Sequence, residues 1–232
     1  MIDIKSFDSL GRFDNEWLAA RYHFSFAGYH DPKRVGVGPL LVWNDDTIRP
    51  GTGFDRHGHR DMEIITYVRR GAITHEDHLG NRGRTEAGDV QVMSAGKGIL
   101  HAEYNEEEED TELFQIWIEP DQKGVKPRWE QRRFPKAERV GTLVPLASGR
   151  EGDETALRIH QDAAILGATL SAGQEVTHRL AEGCRAYLVV ARGAITVNGT
   201  PVGTRDGVTI ADEASIHIAA QADSEILLAD LP

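Results

Sequence analysis

The pentapeptide RGAIT occurs twice, at Arg70–Thr74 and at Arg192–Thr196. The same offset carries Gly51 onto Gly173 and lays EIITYVRRGAIT over RAYLVVARGAIT, so a glycine and the flanking apolar positions also fall in register. Self-similarity at a fixed offset marks a duplicated structural unit, and 232 residues are enough to bury two such cores. The segments EIITYV, DVQVMSA, LFQIWIEP, AYLVVA, AITVNG, GVTIA and EILLADL each read as short strands. Their separators LGNRG, EAGD, NGTPVG and TRDG are rich in Gly, Asn and Asp, which suit tight turns. A helical pattern is confined to NEWLAARY, and a turn is expected within KPRWEQRRF. The expected architecture is all-β, two similar barrels or sandwiches with few short helices, joined by a polar link within DQKGVKPRWEQRRFPKAERVGTLVPLASGREGDE.

Charge narrows the function classes. With 37 acidic against 26 basic residues the net charge is −11, which opposes general binding to nucleic acid or an anionic membrane. The single cysteine, Cys184, cannot form an internal disulfide, so a reducing cytoplasm is the expected location. MIDIKSFDSL lacks the basic and apolar regions of a signal peptide, and no apolar run approaches the roughly 20 residues of a membrane span.

Against this background DRHGHRDME stands out. His57 and His59 are two residues apart, so on a strand both imidazoles point the same way from alpha-carbons roughly 6.6 Å apart. ILHAEYN repeats that geometry with His101 and Glu103. Two antiparallel strands carrying these pairs would converge on one cation, and imidazole with carboxylate suits Fe, Mn, Ni, Cu or Zn. The duplication is an internal control: His57, His59 and Glu63 map onto Arg179, Ala181 and Arg185, so the second copy builds its strands without these groups. His178 lies one residue out of register, which turns a strand side chain to the opposite face. The carboxylate ligand lies between Glu63 and Glu103, and spacing leans towards Glu103. His75 and His78 are expected in solvent at a hairpin end, His217 as a strand residue, and His23 within reach of the site mouth. Gln115 and Trp117 share a strand face and would line or fill the cavity.

GTGFDRHGHRDMEIITYVRRG together with GDVQVMSAGKGILHAEYN resembles the two metal-binding motifs of the cupin superfamily, and specifically those of the pirin family. HFSFAGYHDP, LFQIWI and PRWEQRRF extend the resemblance over most of the chain. Ser94 and the spacing before His101 depart from the general cupin pattern in the way pirins do. The resemblance implies a bicupin, with a metal-binding N-terminal domain at 1–135 and a degenerate C-terminal domain at 136–232. It places the ligand role on His57, His59, His101 and Glu103, and implies one divalent transition metal, iron first, with Zn, Mn, Ni, Co and Cu as alternatives. Three neutral imidazoles and one carboxylate leave such a site at a charge of about +1. The implied activity is a quercetin 2,3-dioxygenase type of oxidoreductase that cleaves a flavonol with dioxygen and releases carbon monoxide, Glu103 removing the substrate proton. Two alternatives stay open: a metal-dependent binding or regulatory protein of pirin type, and an oxygenase for another enediol-like metabolite. A monomer with no direct nucleic-acid or membrane partner is expected.

Overall fold

The computed structural model describes residues 1–232. Strands make up its regular structure, apart from two single helical turns at Phe7–Ser9 and Lys136–Arg139. The chain forms two compact units. One contains Gly11–Phe134 and Leu157–Gln161; the other contains Met1–Leu10, Pro135–Ala156 and Asp162–Pro232. Relative to a cut between residues 135 and 136, the first ten residues belong with the later half and Leu157–Gln161 with the earlier one.

In the first unit an antiparallel sheet runs in the order Arg128–Arg132, Val90–Ser94, Glu63–Arg70, Thr111–Ile118, Leu40–Ile48, Leu18–Tyr22, Gly11–Asp14. A second sheet has the order Gly53–His59, Ile99–Tyr104, Ala72–Asp77, Arg82–Glu86. Ile73 of the smaller sheet packs with Leu18, Ile48, Val68 and Leu113 of the larger, closing a sandwich over an apolar core.

The other unit repeats the plan. Its larger sheet reads Ile2–Lys5, Gly207–Ala211, Arg185–Arg192, Ser224–Leu231, Ala164–Leu170, Val144–Ser148, and its smaller one Glu175–Arg179, Ser215–Ala220, Ile195–Val197, Thr200–Val202. Ile2–Lys5 pairs with Gly207–Ala211 as Arg128–Arg132 pairs with Val90–Ser94. The strand order is therefore duplicated, and the RGAIT repeat marks the same bend in each copy. Gly71 and Gly193 turn the chain at φ 73° and 91°, where a side chain would also strike Thr111 or Ser224. The interior of this unit is filled with aliphatic side chains, among them Leu166, Leu188, Ile195, Ile216, Ile218 and Leu228.

Two local expectations are corrected. NEWLAARY gives no helix: Leu18–Tyr22 is a strand in which Leu18, Ala20 and Tyr22 are buried and the residues between them half-buried. Leu, Ala and Arg are good helix formers, but propensity is a weak determinant, and pairing with Leu40–Ile48 on one side and Gly11–Asp14 on the other overrides it. Likewise RWEQR, read as a turn within a polar link, is the strand Arg128–Arg132 at the edge of the larger sheet, where alternating charged residues are tolerated.

Candidate metal centre

The strands Gly53–His59 and Ile99–Tyr104 lie side by side with His57 directly opposite His101. The register slips between His101 and Glu103, placing Glu103 opposite Phe54. His101 and Glu103 share the inward face and are 2% and 3% exposed. His57 and His59 share the face that meets them, with imidazole centroids 4.7 Å apart and each within 5.0 Å of the His101 ring. One ring nitrogen from each of His57, His59 and His101 falls within 4.8 Å of the others, a cluster able to hold a metal ion.

Their protonation states suit that task. Burial, then repulsion from His101 and His57, pushes His59 down to about 4. Burial, then His57 and His75, pushes His101 down to about 3. Both rings are neutral near pH 7 and keep a lone pair. Hydrogen bonds decide which nitrogen carries it. The Asp55 carbonyl oxygen, 2.7 Å from Nδ1 of His57, can only accept, so Nδ1–H donates and Nε2 is left. For His101 the argument runs through two further residues. Burial opposes ionisation of Asp77, but hydrogen bonds from Asn81 and His75 outweigh it and hold Asp77 below the usual carboxylate range. Nε2–H of His75 therefore donates to Asp77 Oδ2 at 3.1 Å, and Nδ1 of His75 accepts from Nδ1–H of His101 at 3.4 Å. That leaves Nε2 of His101 as acceptor, and this buried nitrogen has no partner in the protein. An orphaned buried lone pair beside two others fits a cation.

Glu103 is held from the larger sheet. Registered pairing sets Tyr22, Asn44, Gln115, Thr66, Gln91 and Gln131 in one row across its inner face. The Gln115 amide donates to Glu103 Oε2 at 3.0 Å and the Gln91 amide donates to Oε1. Thr66 Oγ1 lies between, within 3.5 Å of both Glu103 and Gln115, and Trp129 Nε1 braces Gln91 at 3.3 Å. Glu63 is elsewhere. Asp61 turns the chain at φ 46° before it, and the Glu63 carboxylate accepts from Ser94 Oγ at 2.7 Å and meets His160 Nδ1 at 3.2 Å.

The imidazoles and Glu103 open onto a pocket of about 190 Å³ walled by Leu18, Tyr22, Phe26, Phe54 and Trp117, with Asn44 and Asp46 on its sheet wall. Burial, assisted by Asp45 and Glu103 against Arg69, pushes Asp46 up to about 8. Gln115 and Trp117 line this pocket, as their shared face allowed.

The other histidines divide. His75, expected in solvent, is fully buried: it stacks on Trp129 at 4.7 Å and touches His101. Its signal was parity, since His75 and Asp77 alternate inward on Ala72–Asp77 beside His101 and Glu103. His75, His101 and Glu103 make a second, overlapping cluster of metal-competent atoms. His78 is exposed at the hairpin, and His217 is an exposed residue of the strand Ser215–Ala220 paired with Glu175. His23 is buried against Trp43, outside the pocket. In the second unit Arg179 faces Ser215 across the corresponding strand pair, where His57 faces His101 in the first.

Similarity to known proteins extends over nearly the whole chain. The family described as Pirin matches residues 4–118, and that described as Quercetinase C-terminal cupin domain matches residues 146–231. A pirin-like protein of Caulobacter vibrioides is 57% identical over 230 residues, covering 99% of each chain. A quercetin 2,3-dioxygenase of Escherichia coli is 42% identical over 233 residues, covering 100% of this chain and 99% of that one. The crystal structure of the Escherichia coli bacterial pirin YhhW in complex with nickel(II) superposes with a TM-score of 0.94 at 41% identity, covering 100% of this chain and 99% of that one.

Proposed function

Because the chain belongs to the pirin family of cupin proteins, we propose that it is a metal-dependent dioxygenase that cleaves a flavonol such as quercetin and releases carbon monoxide. His57, His59, His101 and Glu103 are the residues that would hold the metal. A bound divalent ion would supply Lewis-acid polarisation of the substrate hydroxyl and a place for dioxygen beside it. Iron is the first expectation for its identity; the nickel in the related structure belongs to that protein.

The observation that carries the reading is the juxtaposition at the pocket floor: an orphaned imidazole nitrogen on His101 beside a carboxylate that two amides hold in one orientation. Gln91 and Gln115 each donate to one oxygen of Glu103, which has an oxygen within 4.8 Å of a His101 ring nitrogen, and from there the carboxylate can take the flavonol hydroxyl proton. The flavonolate anion would take over the negative charge that Glu103 gives up on protonation, so the charge of about +1 on a divalent site with three neutral imidazoles is unchanged by the transfer. His75, held between Asp77 and His101, sets the His101 tautomer. Phe26 and Trp117, edge to face at 5.4 Å, with Phe54 and Tyr22, give a flat apolar slot that suits an aromatic ring and limits water.

The test is turnover of quercetin by metal-loaded protein under oxygen, with one dioxygen consumed for each carbon monoxide released. Flavonol loss without carbon monoxide would assign a different oxidation, and no turnover with any first-row metal would favour a binding role.

A further inference from the structure

Leu40–Ile48 is a central strand whose inward positions Val42, Asn44, Asp46 and Ile48 lie on one face. The outer two are ordinary core residues. The inner two are polar, 4% and 3% exposed, and Oδ1 of each is buried with no hydrogen-bond partner in the protein. Their neighbours in the sheet explain why. Asp46 lies between Ala20 and Leu113, neither of which has a side-chain donor. Asn44 lies between Tyr22 and Gln115, and neither the Tyr22 hydroxyl nor the Gln115 amide, which donates to Glu103, hydrogen-bonds to its Oδ1. An orphaned buried acceptor costs about 1–3 kcal/mol, and this strand carries two where Val or Leu would pack. Both line the pocket that holds the imidazoles and Glu103.

We propose that Asn44 and Asp46 are a substrate-recognition wall, hydrogen-bonding with hydroxyl groups on the aromatic rings of the substrate. The wall rests on the flavonol reading of the pocket, but it adds a selection that metal binding alone does not make. Every flavonol offers the metal the same 3-hydroxy-4-oxo edge; the remaining ring hydroxyls differ between flavonols and are what Asn44 and Asp46 select. A site with buried polar groups rejects an analogue that lacks their partner, because the groups are then left unpaired.

The experiment measures dissociation constants of zinc-loaded, anaerobic protein for quercetin, for galangin (no hydroxyls on the pendant ring) and for 3-hydroxyflavone (only the metal-binding hydroxyl). Wild-type affinity should fall about 5- to 150-fold at one of the two steps, the equivalent of one unsatisfied acceptor. Asp46→Leu and Asn44→Leu should each flatten that step, read as the ratio of the three affinities within each variant rather than as any one absolute affinity. Both variants should unfold at the same or a higher temperature, since each removes an unpaired buried group. Equal wild-type affinity for all three compounds, or a step that survives both substitutions, overturns the wall and leaves the flavonol reading standing. Failure of all three to bind removes the flavonol reading and the wall with it.

Discussion

Glu103→Gln and Glu63→Gln make the same chemical change at two buried carboxylates, and the structure assigns them opposite consequences. Both oxygens of Glu103 accept, one from Gln91 and one from Gln115. An amide has a single oxygen, so in Glu103→Gln one of these donors must face an NH2 group. A hydrogen bond to a charged group contributes about 1.5–3 kcal/mol, so misplacing the side chain alone weakens metal binding by about 10- to 150-fold, before the lost negative charge is counted. Loss of the base costs turnover about 10²–10⁴ at saturating metal, or about 3–5 kcal/mol at 1.36 kcal/mol per tenfold. Glu63→Gln keeps its interactions: the new carbonyl accepts from Ser94 and the new NH2 donates to His160. It should leave metal stoichiometry intact and change turnover modestly. Chelator competition gives the metal affinity of each variant, and flavonol turnover at saturating metal isolates the base. A demetallated Glu63→Gln beside a nearly normal Glu103→Gln would refute the placement of the carboxylate ligand.

Three further outcomes are expected. His75→Phe frees the His101 tautomer and should weaken metal binding about 10- to 100-fold with the fold retained; unchanged affinity by chelator competition would remove His75 from that role. His59 and His101 are held at about 4 and about 3, below the 6.5 of an unfolded histidine. The unfolded chain therefore takes up protons first as pH falls, so metal-free protein should lose stability from pH 6.5 down to about 3. Chemical denaturation of the metal-free protein across this range checks it; a stability that stays constant from pH 6.5 to 4 would show that the rings are not shielded. Gly53→Ala would drive a methyl group into the Glu103 carbonyl and the Tyr104 backbone, costing about 1–3 kcal/mol; chemical denaturation with no change in midpoint would contradict the close pairing of these two strands.

Much of the fold was legible because period-two patterning and turn residues agree with the pairing, and the RGAIT repeat lies at a bend needed in both units. The convergence of His57 and His59 on His101 followed from parity alone. Local pattern failed where long-range pairing decided the outcome. Leu18–Tyr22 has helix-favouring residues but two strand neighbours. His75 looked like a hairpin residue because Trp129, which covers it, arrives from a strand 54 positions later in the chain, 129 − 75. Gln91, Thr66 and Gln115 each sit singly inside an apolar strand, and only cross-strand register brings them together as the cradle of Glu103. The orphaned acceptors on Asn44 and Asp46 were likewise invisible, since their state depends on which neighbours lack donors.

The central claim is that one metal ion sits among His57, His59, His101 and Glu103, and that the duplicated unit holds none. Anomalous diffraction at metal absorption edges, on crystals of protein purified without chelator, tests it directly. The account predicts one ion per chain, bound by those four side chains, with no ion beside Arg179 and Ser215. An ion bound instead by His75, His101 and Glu103, or a second tightly held ion in the later unit, would contradict it.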